Sequence, residues 1–585
     1  MPRPHDGHAV LRPSLGLASA LFAVHVAAKL VALPVAAPAS VPAWLSALAG
    51  DAAVSVLFAA VTWRAPRVVA WIGYVLLVGL AALNATLVRA LGTPLVVSML
   101  RGVDEAMQDS AAHYMSLGHI GPALGVLAVG LVAPGRTRRW PRRAHHVLAA
   151  AAVGLAVLGA FLPAAVPAQR NGVVALLRSA LPRAWAKDSG PPTDLRTPRP
   201  AAREPGLEHL PGSARGRSVV VVVLESAAAR FVGAYGATPD AMPFVSDTAR
   251  RSLLCTRAWA VYPESIKGQL ALWHSTAPAP DVDVEQHARI PVPGLATLLA
   301  GTGYATGLFH AGRFRFLGMD AVLRHSGFAV QTDAATIGGD RESSFGVDEE
   351  STVAALLRWV DSVPPAQPFL AAYLPVAGHH PYASPPGGPF PRDNVRDCYR
   401  AALHYADRAV RTLWEGLCAR RDPHTLALCV VGDHGQAFGE HDGNFGHTFA
   451  VYEENLHVPL LFCVPGVSDR GVVCARVASH LDVAPTLLDL LGQPACPDHQ
   501  GASLLEPLAR RAFAFTDWGD PLVAMRDGDW KLVLDLGSGS AALFDLGQDP
   551  SEQHDVNQQA PARTAAAAAA ARAWIGRVRA TVAGW

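Results

Sequence analysis

Charge is scarce in this chain. Only 17% of its 585 residues are Asp, Glu, Lys or Arg, against 51% hydrophobic, and the formal net charge is +1. The net charge says nothing about nucleic acid, but no basic stretch interleaved with aromatics occurs, so no nucleic-acid partner is expected. Cysteine is sparse as well: seven, at 255, 398, 418, 429, 463, 474 and 496, with no C-x-x-C spacing. An odd count excludes a complete disulfide framework and leaves room for one or two bridges. What is abundant is apolar sequence, with a mean hydropathy of +0.22.

Most of that apolarity lies in the first 170 residues, which read as five membrane spans near 14–35, 41–63, 67–90, 117–134 and 147–168. Each is close to the ~20 residues that cross a hydrocarbon core. A succession of such runs without charged faces is not the pattern of buried helices in a soluble domain, and a cleaved signal peptide does not fit a first segment followed at once by others. Arg3 and Arg12, then Arg64 and Arg67, then the cluster Arg136, Arg138, Arg139, Arg142 and Arg143 occupy alternate connections. With five spans all three basic segments share one side, so the N-terminus is expected in the cytoplasm and everything after Ala168 outside. Thr93 to Ser116, with Asp104, Glu105 and Gln108, is expected to be a loop or an amphipathic helix on the outer surface. The expected organisation is a transmembrane domain over 1–168, a Pro- and Arg-rich linker over 169–217 with a short helix near 173–181, a catalytic domain over 218–510 and a C-terminal subdomain with a helix over 511–585.

From Ser218 onward, strand-like and helix-like runs alternate, which predicts an α/β domain: a mixed, mainly parallel sheet between helical layers, closed by a small antiparallel sheet. Two runs stand out. SVVVVVL, from Ser218 to Leu224, breaks at Glu225-Ser226, and the apolar run Leu426 to Val431 breaks at Gly432-Asp433-His434-Gly435. Buried parallel strands that end in glycine-flanked polar residues deliver side chains to the open edge of an α/β sheet. Asp433 and His434 supply oxygen and imidazole ligands suited to Zn²⁺ or Mn²⁺, with His441 and His447 in the next loop, and Glu225 joins them if the two strands are neighbours. Strands ending near His310 and near His379-His380 point to the same edge. Ser265 opens a helix-like run through Trp273; it is either a plain N-cap or an oxygen placed at a helix N-terminus, where developing negative charge is favoured.

LESAAARFVGAYG, YPESIKGQLALWHS, VAGHHPY, VVGDHGQAFGEH and GHTFAVYEENLHVPLLF occur in an order that resembles the sulfatase and alkaline phosphatase superfamily. SHLDVAPTLLDLLG and MRDGDWKLVLDL with ALFDLGQDPSE resemble the closing segments of sulfatases, and the resemblance covers Ser218 to about Asn557. A single glutamate after the first strand resembles the membrane-bound phosphotransferases of the lipoteichoic acid synthase, phosphoglycerol transferase and phosphoethanolamine transferase type. The resemblance implies a divalent metal (Zn²⁺ or Mn²⁺) held by Glu225, Asp433, His434 and Ser265, with Ser265 as nucleophile. It further implies that His379 and His447 contact the transferred phosphate or its leaving group. Sulfatases carry Cys or Ser in a C/S-x-P/A-x-R setting that is oxidised to formylglycine. Ser265 is followed by Ile266 and Lys267, without the proline or the arginine, and the related phosphotransferases use threonine where this chain has serine.

The expected function is therefore a plasma-membrane, multi-pass enzyme with an extracytoplasmic catalytic domain. It moves a phospho-headgroup from a membrane lipid donor to an envelope glycan or lipid acceptor through a covalent serine intermediate. The alternatives are a sulfuric ester or phosphodiester hydrolase and, from another class, a non-catalytic membrane protein that binds through the same fold. Lys267 is expected to offset phosphate charge or to be solvated, His310 and His441 have lesser claims on the site, and His380 and His457 are expected to be structural.

Overall fold

The computed structural model describes residues 13–32, 40–101, 117–159, 161–162, 167–181, 199–201, 204–341 and 345–582. Arg3, Arg12, the segment from 102 to 116 and the centre of the linker, 182–198, lie outside them. The described chain forms two compact units, one of residues 1–100, 111–182 and 439–445 and one containing the remainder.

The first unit is helical: α1 (Pro13–Ala32), α2 (Val41–Thr62), α3 (Arg67–Leu91), α4 (Leu117–Thr137), α5 (Arg142–Gly159) and a short α6 (Gly172–Ala180). Leu21, Val24, Phe58, Tyr74, Val78 and Val126 pack inward, while Val61, Val68, Leu76 and Leu131 stand exposed. Large apolar side chains on the outside of a helical bundle are what a lipid environment requires and water penalises. Among the described residues, α1, α2, α3 and α4 are long and apolar enough to cross a membrane. The fifth expected span, 147–168, differs: α5 opens with Arg142, Arg143, His145 and His146 and ends at Gly159, so its apolar part runs only from Val147. Inside the unit, Lys29 Nζ lies 3.3 Å from Asp51 Oδ2 and Asn171 Nδ2 donates to Asp51 Oδ1 at 2.7 Å, so a charge pair ties α1, α2 and the start of α6.

The second unit is built on a nine-stranded sheet. Its centre is β1 (Ser218–Leu224), flanked in parallel by β5 (Phe369–Leu374) and β6 (Leu426–Gly432). Next to β5 lies β3 (Ala305–His310) and then β4 (Val330–Thr332), again parallel. On the other side β6 pairs antiparallel with β8 (Leu460–Cys463), which meets β2 (Leu253–Trp259). β2 in turn carries β7 (His457–Val458) antiparallel and β9 (Val472–Ser479) parallel. Every residue of β1, β5 and β6 is buried, which explains why these runs are continuously apolar and do not alternate. The helices α7 (Pro243–Ala249), α8 (Ser265–His274), α9 (Glu349–Ser362), α10 (Val395–Cys418) and α11 (Val483–Leu490) accompany this sheet. Two apolar clusters enclose it: Val220, Val222, Leu356 and Leu413 belong to one, Val219, Val221, Leu270 and Leu487 to the other. A four-stranded antiparallel meander follows, β10 (Arg511–Thr516), β11 (Leu522–Asp527), β12 (Trp530–Asp535) and β13 (Ala541–Asp545), covered by α12 (Pro561–Val582). All seven cysteines are free thiols, with Cys255 and Cys474 as register partners on β2 and β9.

Candidate active site

β1 and β6 are parallel neighbours in a register that pairs Leu224 with Gly432. Glu225 and Asp433–His434 therefore leave the sheet side by side, one residue beyond its carboxyl edge. The turn after β1 is held by Ser226, whose φ of 54° is unusual for a residue with a Cβ. In that conformation its N–H donates to Asp433 Oδ1 (2.8 Å) and its hydroxyl to Glu225 Oε1 (2.7 Å), so the strain fixes both carboxylates. Asp433 Oδ1 also accepts from His434 N at 2.6 Å. His434 Nδ1 faces the Gly435 carbonyl at 2.9 Å, which assigns the proton to Nδ1 and leaves the Nε2 lone pair directed into the site.

Ser265 is the first residue of α8, and the N-cap position is taken by Glu264, whose carboxylate accepts from Ile266 N (2.8 Å) and Lys267 N (3.2 Å). The plain capping role weighed for Ser265 is thus filled by its neighbour. The Ser265 hydroxyl turns to the strand ends, donating to Glu225 Oε2 at 2.9 Å and lying 3.1 Å from His434 Nε2. Lys267 is neither solvated nor free for a ligand: its ammonium lies 3.0 Å from the buried Asp517 carboxylate, which also receives the Tyr262 hydroxyl.

His379 sits in a turn five residues past the end of β5, because the strand stops at Leu374 and does not continue to the histidines. His380, expected to be structural, lies in the same turn and not on the strand. Gly378 is required there, since a Cβ would lie 1.9 Å from the Glu225 carbonyl oxygen. His379 Nδ1 donates to the His380 carbonyl (2.7 Å). His447 stacks on His434, ring centroids 4.1 Å apart, and lies 6.3 Å from the His379 ring. Its Nδ1 meets Gln436 Oε1 at 3.0 Å, and Gln436 Nε2 donates to the Tyr382 hydroxyl at 2.7 Å. Ser226, Glu264, Gln436 and Tyr382 escaped the sequence reading; an Asp-His-Gly-Gln run hinted at Gln436 only. His310 is buried, with Nδ1 donating to the Leu374 carbonyl (3.1 Å), and His441 lies in the 439–445 stretch of the first unit. His457 contacts the Thr256 carbonyl (2.9 Å) and serves the sheet, as expected.

Ligand atoms of Glu225, Asp433 and His434 all lie within 4.8 Å of one another, and all three residues are buried. Burial first, then the neighbouring Asp433 carboxylate, pushes Glu225 above its ordinary range, and burial pushes Asp433 up to about 7. Burial holds His434 and His447 neutral. The basic groups acting on Glu225 are the imidazoles of His434 and His379 rather than a Lys or Arg. Two buried carboxylates and a neutral imidazole at this spacing fit a divalent cation, the species that would relieve their mutual repulsion.

Residues 217–493 match the family profile described as sulfatase, and residues 439–572 match that of the N-sulphoglucosamine sulphohydrolase C-terminal region. Among curated proteins, the chain is 26% identical over 245 residues to mouse (Mus musculus) arylsulfatase K, covering 36% of this chain and 43% of that protein. It is 22% identical over 402 residues to a Bacteroides thetaiotaomicron Delta 4,5-hexuronate-2-O-sulfatase, covering 56% and 82%. The chain thus spans about two fifths of the mouse relative's length. Among solved structures, an alkaline phosphatase superfamily protein from Vibrio parahaemolyticus matches with a TM-score of 0.52 at 22% identity, over 68% of this chain and 95% of that one. The lipoteichoic acid synthase LtaP from Listeria monocytogenes matches with a TM-score of 0.50 at 17% identity, over 66% and 96%. These two likenesses concern the fold. Enzymes of this superfamily use a divalent metal, in keeping with the donor set at the sheet edge. The chain thus carries a sulfatase-profile domain over residues 217–493, similar in fold to a protein of the alkaline phosphatase superfamily.

Proposed function

We propose that the second unit cleaves a phosphodiester through a covalent phospho-Ser265 intermediate, moving the phospho-headgroup of a membrane lipid to an envelope alcohol. The observation that carries this reading is the Ser265 hydroxyl, freed from capping by Glu264 and set between two proton acceptors, Glu225 Oε2 at 2.9 Å and His434 Nε2 at 3.1 Å. Glu225, Asp433, His434 and the Ser265 oxygen would hold a divalent ion, Zn²⁺ or Mn²⁺ by donor type. When bound, it supplies Lewis acidity that lowers the hydroxyl pKa and offsets the phosphate charge.

Ser265 Oγ attacks phosphorus as its proton leaves towards the buried acceptors. The Oγ–P bond forms, the bond from phosphorus to the first alcohol breaks, and that alcohol departs with a proton. His447, stacked on His434 at 4.1 Å, and His379, 6.3 Å from His447, are the imidazoles beside the site that can meet a leaving oxygen. His447 is neutral in the free site, and an anionic ester beside it would raise its proton affinity and suit it to act as the donor. The second alcohol, or water, then attacks phosphorus and gives its proton to His447, while the Oγ–P bond breaks and the proton held by the buried acceptors returns to Ser265 Oγ.

A sulfuric ester hydrolase is the second reading, supported by the sulfatase names among the relatives and opposed by the Ser265-Ile266-Lys267 sequence. The four bilayer-length helices favour a lipid-linked donor. We place α5 as a fifth crossing, which puts every basic connection on the cytoplasmic side and the second unit outside; a cytoplasm-only reporter fused after residue 200 should then be silent. The decisive experiment is mass spectrometry of the Ser265 peptide after exposure of the purified chain to a phospholipid donor. A phospho-headgroup adduct is expected. Formylglycine at 265 selects the sulfate ester, and an unmodified serine together with normal turnover of Ser265→Ala overturns the covalent route.

A further inference from the structure

Beside His379 the second unit holds a cavity of ≈ 350 Å³, within the range of about 300–1,000 Å³ typical of small-molecule sites. Its walls come from the start of α9 and the loop after β5: Val347, Val376, Ala377, Pro381, Pro385 and Pro386, with Phe345 packed on the His379 ring at a centroid distance of 4.3 Å. Among the described residues, the carboxylates and hydroxyls around it are already engaged. Glu349 accepts from Val376 N (2.8 Å), Ala377 N (2.9 Å) and the Tyr373 hydroxyl. Asp348 accepts from Ser351 N (2.9 Å) and Arg341 N (3.1 Å). Tyr405 is committed to Glu349 N and the Glu350 carboxylate. Ser384 accepts twice from Arg392 (2.9 and 3.0 Å), and the Arg341 side chain is paired with Glu350 at 3.3 Å.

A sugar ring in this cavity would bring several hydroxyls to a wall with its carboxylates and hydroxyls in use, and each hydroxyl left unpaired on burial is penalised. An alkyl chain meets no such penalty. We infer that this cavity receives the alkyl chain of the ester's alcohol, so that the substrate is an alkyl ester and not the sulfated sugar named for several relatives. Two further observations select that occupant: His379, which lines the cavity, has its ring 6.3 Å from that of His447 at the reaction centre, and the same chain carries four helices of bilayer length among the described residues, which bring it among alkyl-chain lipids. The inference rests on taking Ser265 and His379 as the reaction centre.

The test uses the full chain in a sterol-based detergent, which has no alkyl chain to compete. A dodecyl phosphodiester carrying a diazirine near the chain end is photolysed in place, and labelled peptides are mapped by mass spectrometry. Labelling is expected in 345–349 and 376–386, and Ala383→Trp and Pro386→Trp, at exposed positions on the rim, should each lower it at least fivefold. The same variants should lower kcat/KM for the dodecyl ester relative to the methyl ester at least tenfold. Label confined to residues 13–159, or unchanged in both tryptophan variants, overturns the inference. So does an aryl azide diester that labels these peptides while the dodecyl probe does not. Ser265→Ala is expected to label like the parent; if it also turns over normally, the covalent route fails while the pocket stands.

Discussion

Two buried charge clusters in the second unit have opposite electrostatics, and the difference shows which of them is built for a ligand. In the first, Glu225 and Asp433 face each other with only imidazoles for company, and both carboxyls are pushed up. In the second, Lys531 reaches Glu552 at 2.7 Å and Glu453 at 3.2 Å, and Arg526 reaches Glu453 at 3.0 Å. Burial pushes both acids up; Lys531 and Arg526 overcome it at Glu453 and hold that carboxyl at about 2, while at Glu552 burial prevails over Lys531 and leaves the carboxyl raised to about 7. The second cluster carries its own cations, two acids against two bases, and clamps the meander to the segment before β7. The first requires a cation from outside. Burial alone does not distinguish a site from a clamp; the charge balance does.

Removing the ligands of the first cluster should give the largest change. Asp433→Ala with His434→Ala is expected to abolish tight divalent metal binding and turnover, measured by elemental analysis and assay on the purified chain. It should leave the melting temperature of the metal-free protein unchanged or higher, because an uncompensated buried carboxylate has been deleted. Unchanged metal content would mean that these side chains are not the ligands.

The second cluster should respond in the reverse sense. Lys531→Met leaves Glu453 and Glu552 buried with Arg526 alone, at a cost of about 3–5 kcal/mol in stability. Metal content should be retained in whatever fraction folds. Denaturant unfolding measures the loss, and an effect under about 1 kcal/mol would show that the network is solvated rather than buried.

Titration sharpens the contrast without mutation. Asp433 has its carboxyl raised to about 7 from 3.8 in the metal-free fold. It therefore contributes stability that is fully present below its unfolded value and lost as pH rises through about 7. Glu453, depressed to about 2 from 4.5, contributes stability present above 4.5 and lost as pH falls towards 2. Melting temperatures of metal-free and metal-loaded chain should diverge as pH rises through about 7, since the metal then replaces a proton, and Asp433→Asn should remove the divergence. Parallel curves would contradict the assignment.

Much of this was legible in the residues. Continuous apolar runs ending in Glu225 and in Asp433-His434 identify buried parallel strands, because only strands covered on both faces lose their alternation. That the two are neighbours is a tertiary fact, and the register pairing Leu224 with Gly432 supplies it. Ser226 was not legible, since nothing in a Glu-Ser-Ala sequence announces a positive φ. Neither was the turn that carries His379, because PFLAAYLPVAGHH reads as one strand until Glu349 is seen to take the N–H groups of Val376 and Ala377. The fifth span was less legible: at α5 arginines and histidines occupy the start of an otherwise apolar helix, and length and composition single out only the other four among the described residues. The cap of α8 was not legible either, because serine is the commoner N-cap and drew attention from Glu264, which one residue earlier has the reach to take two amides.

That cap yields the smallest expected effect, and it tests how narrowly the first cluster is drawn. Glu264 is buried one residue before Ser265, and burial raises its carboxyl to about 7. It resembles Glu225 and Asp433 in both respects, yet its two oxygens are committed to Ile266 N and Lys267 N. If its role is to cap, Glu264→Ala should cost about 1 kcal/mol of stability. Metal content should stay intact, and kcat should fall less than tenfold through looser placement of Ser265. Glu264→Asp and Glu264→Ser, which preserve an N-cap oxygen on a shorter side chain, should recover most of the stability. Were Glu264 instead a member of the cluster, its removal would lower metal affinity, and serine, a poor substitute for a carboxylate ligand, would not restore it. Metal affinity measured across these three variants decides between a cap that holds the helix and a third carboxylate ligand, and the geometry predicts no change in any of them.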